Sequence, residues 1–318
     1  MTPAFNISKT IQDKFYPFTQ TRDAADIRIG ILTIREKWER IGYEGTITSL
    51  RLPGTVNPSE TKELNRLVDI IHLNDWAIRQ DFEIITKGRS SQAISSTNKT
   101  INPENIFLEE GARVEHCIIN ASVGPVYIGK NAELMEGSMI RGPFVLGEGS
   151  VIKMGAKIYG AVSIGPYSMG GGEIKNSVIF GHSNKAHDGY LGDSIIGEWC
   201  NLGAGTSNSN VKNTAGYVKL WDNATQTFQS AGIKCGLMMG DYSRAAINTS
   251  FNTGTVVGVC CNVFGEGFPP KYIPDFSWGN ERYIFENALK DIDNWKKLKG
   301  KAISEAETEI LKTLYNNK

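Results

Sequence analysis

From Ile128 onward one apolar residue recurs every six positions: Ile128, Leu134, Ile140, Leu146, Ile152, Ile158 and Ile164. Four places after each comes Ala132, Ser138, Phe144, Ser150, Ala156, Val162 or Ser168, nearly all small or β-branched. A lone helix wants spacings of three and four, and a plain strand alternates; six fits neither. It fits a chain that runs a short strand, turns a corner and runs another, bringing the same position inward each time. The expected fold class is therefore mainly β: a parallel β-helix of hexapeptide repeats, its coils about 4.8 Å apart.

With 318 residues, the chain has room for about two domains and a sizeable core. Its 34 Lys and Arg balance its 34 Asp and Glu, so no basic field calls for nucleic acid or anionic lipid. The five cysteines, Cys117, Cys200, Cys235, Cys260 and Cys261, are odd in number and show no C-x-x-C spacing. They read as buried thiols in a reducing compartment. The N-terminus shows neither a charged n-region nor an apolar h-region, and no apolar run approaches about 18 residues. The expectation is a soluble, cytoplasmic chain without nucleic-acid or membrane partners.

Residues 1–103 lack the six-residue period and read as a small α/β region packed on the first coils. Asp26 to Leu32 reads as a strand, and Thr33 with Glu36 as a capping box opening a helix that Gly42 ends. Pro58 and Ser59 read as the start of a second helix, with Leu64, Leu67, Val68 and Ile71 on one face. A helical turn at Asp75 to Arg79, a strand at Phe82 to Ile85 and a polar linker from Lys87 to Pro103 complete the region. No glycine-rich phosphate loop occurs before residue 100.

Residues 104–278 read as the coil, starting at Leu108. Its period recovers through Ile174, Leu191, Ile196 and Leu202, and resumes at Ile233, Met239, Ala245, Phe251, Val257 and Val263. A loop over 206–232 leaves it, with Tyr217 to Trp221 and Thr227 to Gln229 suited to a hairpin. Residues 279–318 are helical: Phe285, Ala288, Leu289, Ile292 and Trp295 form one stripe, and Ser304 with Glu307 another capping box. This tail is expected to dock on the last coil and shield its open edge.

The candidate chemistry lies in Glu173-Ile-Lys175-Asn-Ser-Val-Ile, Lys185-Ala-His187-Asp-Gly-Tyr190-Leu-Gly-Asp193 and Asn201-Leu-Gly-Ala-Gly-Thr206. These resemble the acetyltransferase half of the bifunctional N-acetylglucosamine-1-phosphate uridyltransferase/glucosamine-1-phosphate acetyltransferase family. Tyr16-Pro-Phe-Thr-Gln-Thr-Arg22-Asp-Ala-Ala-Asp-Ile-Arg28 and the residues on to Trp38, with Thr86 to Gln92 and Phe276 to Gly279, are similar to a branch of it labelled sugar nucleotidyltransferase. Members of that branch are longer; here the nucleotidyltransferase-like front is a remnant. The resemblance implies a left-handed, three-sided coil assembled as a homotrimer, with active sites between subunits.

It also implies roles. His187 stands where the family has its general base, and Lys175 where it has a phosphate-binding lysine. Tyr190, Asn201 and Asn210 match contacts to the amino sugar, and Ala204 a backbone contact to the acyl-coenzyme A thioester. Arg141 and Lys157 are candidates for a further phosphate contact. The chemistry is coherent: attack on a thioester needs a base near working pH, a donor for the oxyanion and a cation for the phosphate. The expected activity is acyl transfer from acetyl-coenzyme A, or another acyl-coenzyme A, to an amino sugar or sugar phosphate resembling glucosamine 1-phosphate.

Plainer roles compete. His187 could be a solvated corner histidine, Lys175 a surface lysine and Asn201 an asparagine bonding corner backbone. Other function classes compete too: a non-catalytic, regulatory sugar-nucleotide-binding trimer, or a sugar-phosphate nucleotidyltransferase. His182 and His187 also show the H-x-x-x-x-H spacing of γ-class carbonic anhydrases, but no third histidine stands at a suitable distance, so no bound metal is expected.

Overall fold

The computed structural model describes residues 3–54 and 60–317. Short parallel strands stack on three faces. Face one holds nine strands, from Ile106–Leu108 to Tyr272–Ile273, and face three holds six, from Lys99–Ile101 to Tyr190–Gly192. Face two holds ten, from Arg113–Val114 to an antiparallel closing strand at Glu281–Arg282. The fold is the expected β-helix. Strands of two or three residues cannot hold themselves; each is fixed by backbone bonds to the coils on either side. Phe144–Leu146 pairs in register with Val126–Ile128 and with Val162–Ile164.

All seven residues of the period are buried in one core with Ala132, Phe144, Ala156 and Val162. The small polar members of the second series have another task. Ser150 Oγ donates to Gly165 O at 2.7 Å, Ser168 Oγ to Phe180 O at 2.7 Å and Ser183 Oγ to Gly197 O at 2.6 Å. Each hydroxyl also accepts the N–H of its counterpart one coil on: Ser168, Ser183 and Cys200 respectively. Buried hydroxyls thereby satisfy backbone groups at the corners. All five cysteines are buried thiols outside any disulfide.

Two ends of the ladder differ from expectation. The coil starts earlier, since Lys99–Ile101 already pairs with Ile118–Asn120. Ile233 is 50 % exposed, and the inward series resumes at Leu237. The hairpin in the loop forms between Lys219–Asp222 and Thr227–Ser230.

The front region holds helices α1 (Lys9–Asp13), α2 (Ile34–Arg40), α3 (Asp69–His72) and α4 (Asn74–Thr86). The Thr33–Glu36 capping box forms. Asp26 to Leu32 is not a strand; it makes a 3-10 turn and one isolated bridge, Arg28 with Thr33. Side chains of α4 replace a partner strand there: Asn74 Oδ1 accepts Gly30 N–H at 2.8 Å, and Asp81 Oδ2 accepts those of Ile31 and Leu32. Phe82 to Ile85 is likewise helical, because Ile78, Phe82 and Ile85 share one face of α4 against Val145 and Ala161. The expected helix start at Pro58 and Ser59 lies outside the described residues; Leu64, Leu67, Val68 and Ile71 beyond it are buried.

The front region packs on the first coils, as expected, through Arg89 with Glu109 and Phe107 and Arg79 with the Val123 carbonyl, and it extends over middle and late coils as well. Phe18 meets Phe180 at 5.3 Å between ring centroids, within a cluster that includes Val178, Ile195, Met238 and Val256 of face one. The tail docks on the last coil as expected: Glu281–Arg282 pairs with the last parallel strand of face two, Ser277–Trp278, and Phe276 packs on Phe285 and Tyr315. Helices α5 (Phe285–Lys297) and α6 (Glu305–Asn316) also reach back along a corner to Trp199 and Tyr242. Tyr167, His182, Trp199, Tyr242, Cys260 and Phe276 occupy successive turns of that corner with φ between 56° and 61°.

Ile158→Ala should destabilise the protein by about 2–5 kcal/mol, the cost of a cavity in a filled core. Ile233→Ala should stay within about 0.5 kcal/mol of wild type, since little packing is lost. Urea unfolding of both variants checks the assignment.

Candidate active site

Lys175 and Tyr190 lie on neighbouring strands of face three, with Tyr159, Lys175 and Gly192 in one register row and Lys157, Glu173 and Tyr190 in the next. Lys175 Nζ stands 5.5 Å from the centre of the Tyr159 ring, whose hydroxyl donates to Glu173 Oε1 at 2.6 Å. The Tyr190 ring lies across Gly192, where any Cβ would collide with it. Its hydroxyl accepts from Asn210 Nδ2 at 3.1 Å, and the same amide donates to Asp193. Burial, then the Asp193 carboxylate, pushes the Tyr190 phenol up to about 12. It is a neutral hydroxyl at neutral pH, able to donate to a ligand.

His187 stands one corner away, between faces two and three, and is exposed. Among the described residues its imidazole has no hydrogen-bond partner. Asn184 pairs with Asn201, which sets Ala204 at the same corner one coil on. The Ala204 carbonyl accepts Asn248 N–H at 2.7 Å. Asn201 lies on face two, accepts from Asn184 Nδ2 at 3.4 Å, and pairs in register with Arg244. Arg244 is buried beneath the Trp295 ring, 5.3 Å from its centre.

The six expected residues fall on two adjoining faces, their shared edge and the corners beside them. Lys175, Tyr190 and Asn210 gather on face three and its far corner, His187 and Ala204 stand on the edge, and Asn201 lies round it. Arg141 and Lys157 are lower on face three, lining a groove of about 510 Å³ with Ile101, Ile118, Met139 and Tyr159. Sequence reasoning missed Tyr159, Glu173 and Asp193. Tyr159 was findable: it precedes Lys175 by the sixteen residues that separate those two coils.

His182 has a different place. It stacks between Tyr167 and Trp199, with ring centroids 5.3 and 4.2 Å away, at the opposite end of its strand from His187. Pairing the two histidines on one metal does not fit this geometry. Among the described residues, no group of His, Cys, Asp or Glu is arranged to hold a metal ion. Also among them, no helix is long and apolar enough to cross a membrane.

The tail holds that stack with cations. Lys296 Nζ stands 4.7 Å over the Trp199 ring, while Lys299 donates to Tyr167 O, His182 O and Asn184 Oδ1. In the front region, Arg22 pairs with Asp241 and approaches Glu198 at 3.5 Å, and Lys37 pairs with Asp81.

A family model described as sugar nucleotidyl transferase matches residues 8–53. The bifunctional protein GlmU of Methanocaldococcus jannaschii is 37 % identical over 89 residues, 28 % of this chain and 21 % of that protein. The chain resembles GlmU. GlmU of Geotalea uraniireducens is 30 % identical over 166 residues, 45 % of this chain and 36 % of that one. A bifunctional sugar-1-phosphate nucleotidylyltransferase/acetyltransferase of Sulfurisphaera tokodaii is 33 % identical over 92 residues, 29 % of this chain and 23 % of the relative. The similarity to these GlmU-type relatives therefore spans only about a fifth to a third of their length. The solved UDP-N-acetylglucosamine acyltransferase of Francisella novicida aligns with 71 % of this chain and 84 % of its own, at 16 % identity and a TM-score of 0.35.

The GlmU-like coil should lose its tail in acid. Burial, then Lys301, Lys299 and Lys296, lowers His182 to about 4, with Glu307 opposing. The unfolded chain then binds more protons between pH 6.5 and 4, so stability falls as pH drops through that window. Wild type should lose up to about 1.4 kcal/mol per pH unit relative to His182→Phe there. Parallel pH dependence of both proteins in urea unfolding would remove this role.

Proposed function

We propose that the chain transfers an acyl group from acyl-coenzyme A to the amine of an amino sugar, with acetyl-coenzyme A as donor and a glucosamine 1-phosphate-like acceptor. The observation that carries the reading is an exposed, unpartnered imidazole on an edge beside a face that groups a lysine, a phenol and a carboxamide. The acceptor amine attacks the thioester carbonyl carbon, forming the C–N bond while the carbonyl electrons move to oxygen. His187 takes the proton that the nitrogen loses. Collapse of the adduct breaks the C–S bond, and the imidazolium returns the proton to sulfur. An amide and free coenzyme A result.

Lys175 faces the acceptor phosphate as a point charge, and Tyr190 and Asn210 bond sugar hydroxyls. Asn201 contacts the acceptor from round the edge, and the Ala204 backbone receives the thioester. Face three is an open wall, with Ile101, Ile118 and Met139 exposed on it. A homotrimer in which a second copy closes that wall is part of the reading. Nucleotidyl transfer is not: Arg22 and Lys37 of the front region are engaged by Asp241 and Asp81.

His187→Ala should lower turnover by about 10²–10⁴ with little change in stability. Lys175→Ala should mainly raise KM for the phosphorylated acceptor. Thiol release, assayed across glucosamine 1-phosphate and other amino sugars, tests both. Absent release from wild type that still binds a sugar nucleotide would favour a regulatory binder. Undiminished release by His187→Ala would displace the base. Light scattering should give three times the 35.0 kDa chain mass; a monomer would remove the shared site.

A further inference from the structure

The inward positions of face two form one column: Val114, Leu134, Ile152, Gly170, Lys185, Leu202, Ala245 and Val263. A lysine in this apolar column, 1 % exposed, carries a large desolvation cost that packing alone does not require. Its ammonium is buried at the corner below His187. There Nζ donates to Gly171 O at 3.3 Å and to the carbonyl of His187 itself.

The coil beneath is irregular at this place. On face two Glu133 pairs with Val151 and Val151 with Met169, each eighteen residues on, but Met169 pairs with Asn184, only fifteen on. Part of the shortening is at the corner. Where the earlier turn has Lys153 to Ala156, this one has only Gly171 and Gly172. The next corner, Ala186 to Gly189, is again full length and carries His187. It rests directly on bare backbone: a Cβ on Gly172 would stand 2.8 Å from His187 O and 2.7 Å from Gly189 O, and one on Gly171 would strike Ala186 O.

The full corner laid over the short one keeps two backbone bonds to neighbouring coils, Gly205 N–H to Asp188 O at 3.0 Å and Glu173 N–H to Gly189 O at 3.2 Å. Among the described residues, however, Gly171, Gly172, Ala186, His187 and Asp188 donate no backbone bond, where Met135 and Lys153 of the regular corners do. We infer that Lys185 is a positioning residue for His187, its buried ammonium clamping the glycine corner to the corner that bears the imidazole. The inference rests on reading His187 as the general base. The clamp depends on charge, since a neutral amine donates far more weakly to two carbonyls. Burial lowers the Lys185 ammonium to about 8, opposed by Asp188, so the clamp loosens in mild alkali. The charged group that acts on it is Asp188, on the clamped corner.

The test compares wild type with Lys185→Met, which keeps length and volume without charge, and Lys185→Arg. Lys185→Met should lower kcat about 10- to 100-fold, leave KM for both substrates within about twofold, and speed amide exchange at residues 186–189. Lys185→Arg, which restores a cation, should recover part of both losses. Unchanged kcat together with unchanged exchange in Lys185→Met overturns the inference. Should Lys185→Met not fold, wild type alone decides. Exchange at 186–189, corrected for intrinsic rate, should rise between pH 7 and 9.5 while 153–156 stays flat; equal behaviour of both corners overturns it. If wild type transfers no acyl group, the functional reading fails, and the exchange measurements still decide the clamp.

Discussion

Each coil is held by backbone hydrogen bonds to the coils above and below, so the chain must return to the same three faces with the same residue inward. That constraint governs the remainder of the molecule. It allows Phe144–Leu146 to be fixed on both sides with three residues, and it makes any change in coil length a local event with consequences at one corner. The corner hydroxyls of Ser150, Ser168 and Ser183 belong to the same logic, since a turn out of the sheet leaves backbone groups that the interior must satisfy.

The candidate site lies where the regular repeat is broken. The fifteen-residue coil leaves a two-glycine corner below His187, and the four-residue corner above carries that residue on the edge. Regularity elsewhere fixes the surroundings: Tyr159, Lys175 and Gly192 are placed by register on a rigid sheet, with the Tyr190 ring lying across Gly192 and its hydroxyl bonded to the amide of Asn210. The front region and the tail brace this frame from outside. Arg22 joins Asp241 at the corner between faces one and two, and Lys299 ties carbonyls of Tyr167 and His182 along the same corner.

The seven-fold period from Ile128 to Ile164 was legible because core filling repeats with the coil. The front region was less so. Ile27 and Ile29 suit a strand by composition, but Asn74 and Asp81 of α4 supply the bonds a neighbouring strand would have made, and no local pattern announces that. The aromatic corner column was hidden by unequal coil lengths, although Tyr167, Trp199 and Tyr242 each stand two residues after a glycine. In the site, the motifs named Lys175, His187 and Tyr190, whereas Glu173 and Asp193 become visible only when register sets coils side by side. Lys185 stands six residues after Ile179 and six before Leu191, so the period itself marks it as inward; the motif draws attention to His187 instead.

The central claim is that ligands gather on the edge between faces two and three and on face three. Difference density from crystals soaked in coenzyme A and glucosamine 1-phosphate tests it directly. The account predicts density against Lys175, Tyr190 and the Ala204 backbone, with the sugar amine within hydrogen-bond reach of His187. Density confined to the front region around residues 8–53, with the His187 edge empty, would contradict it.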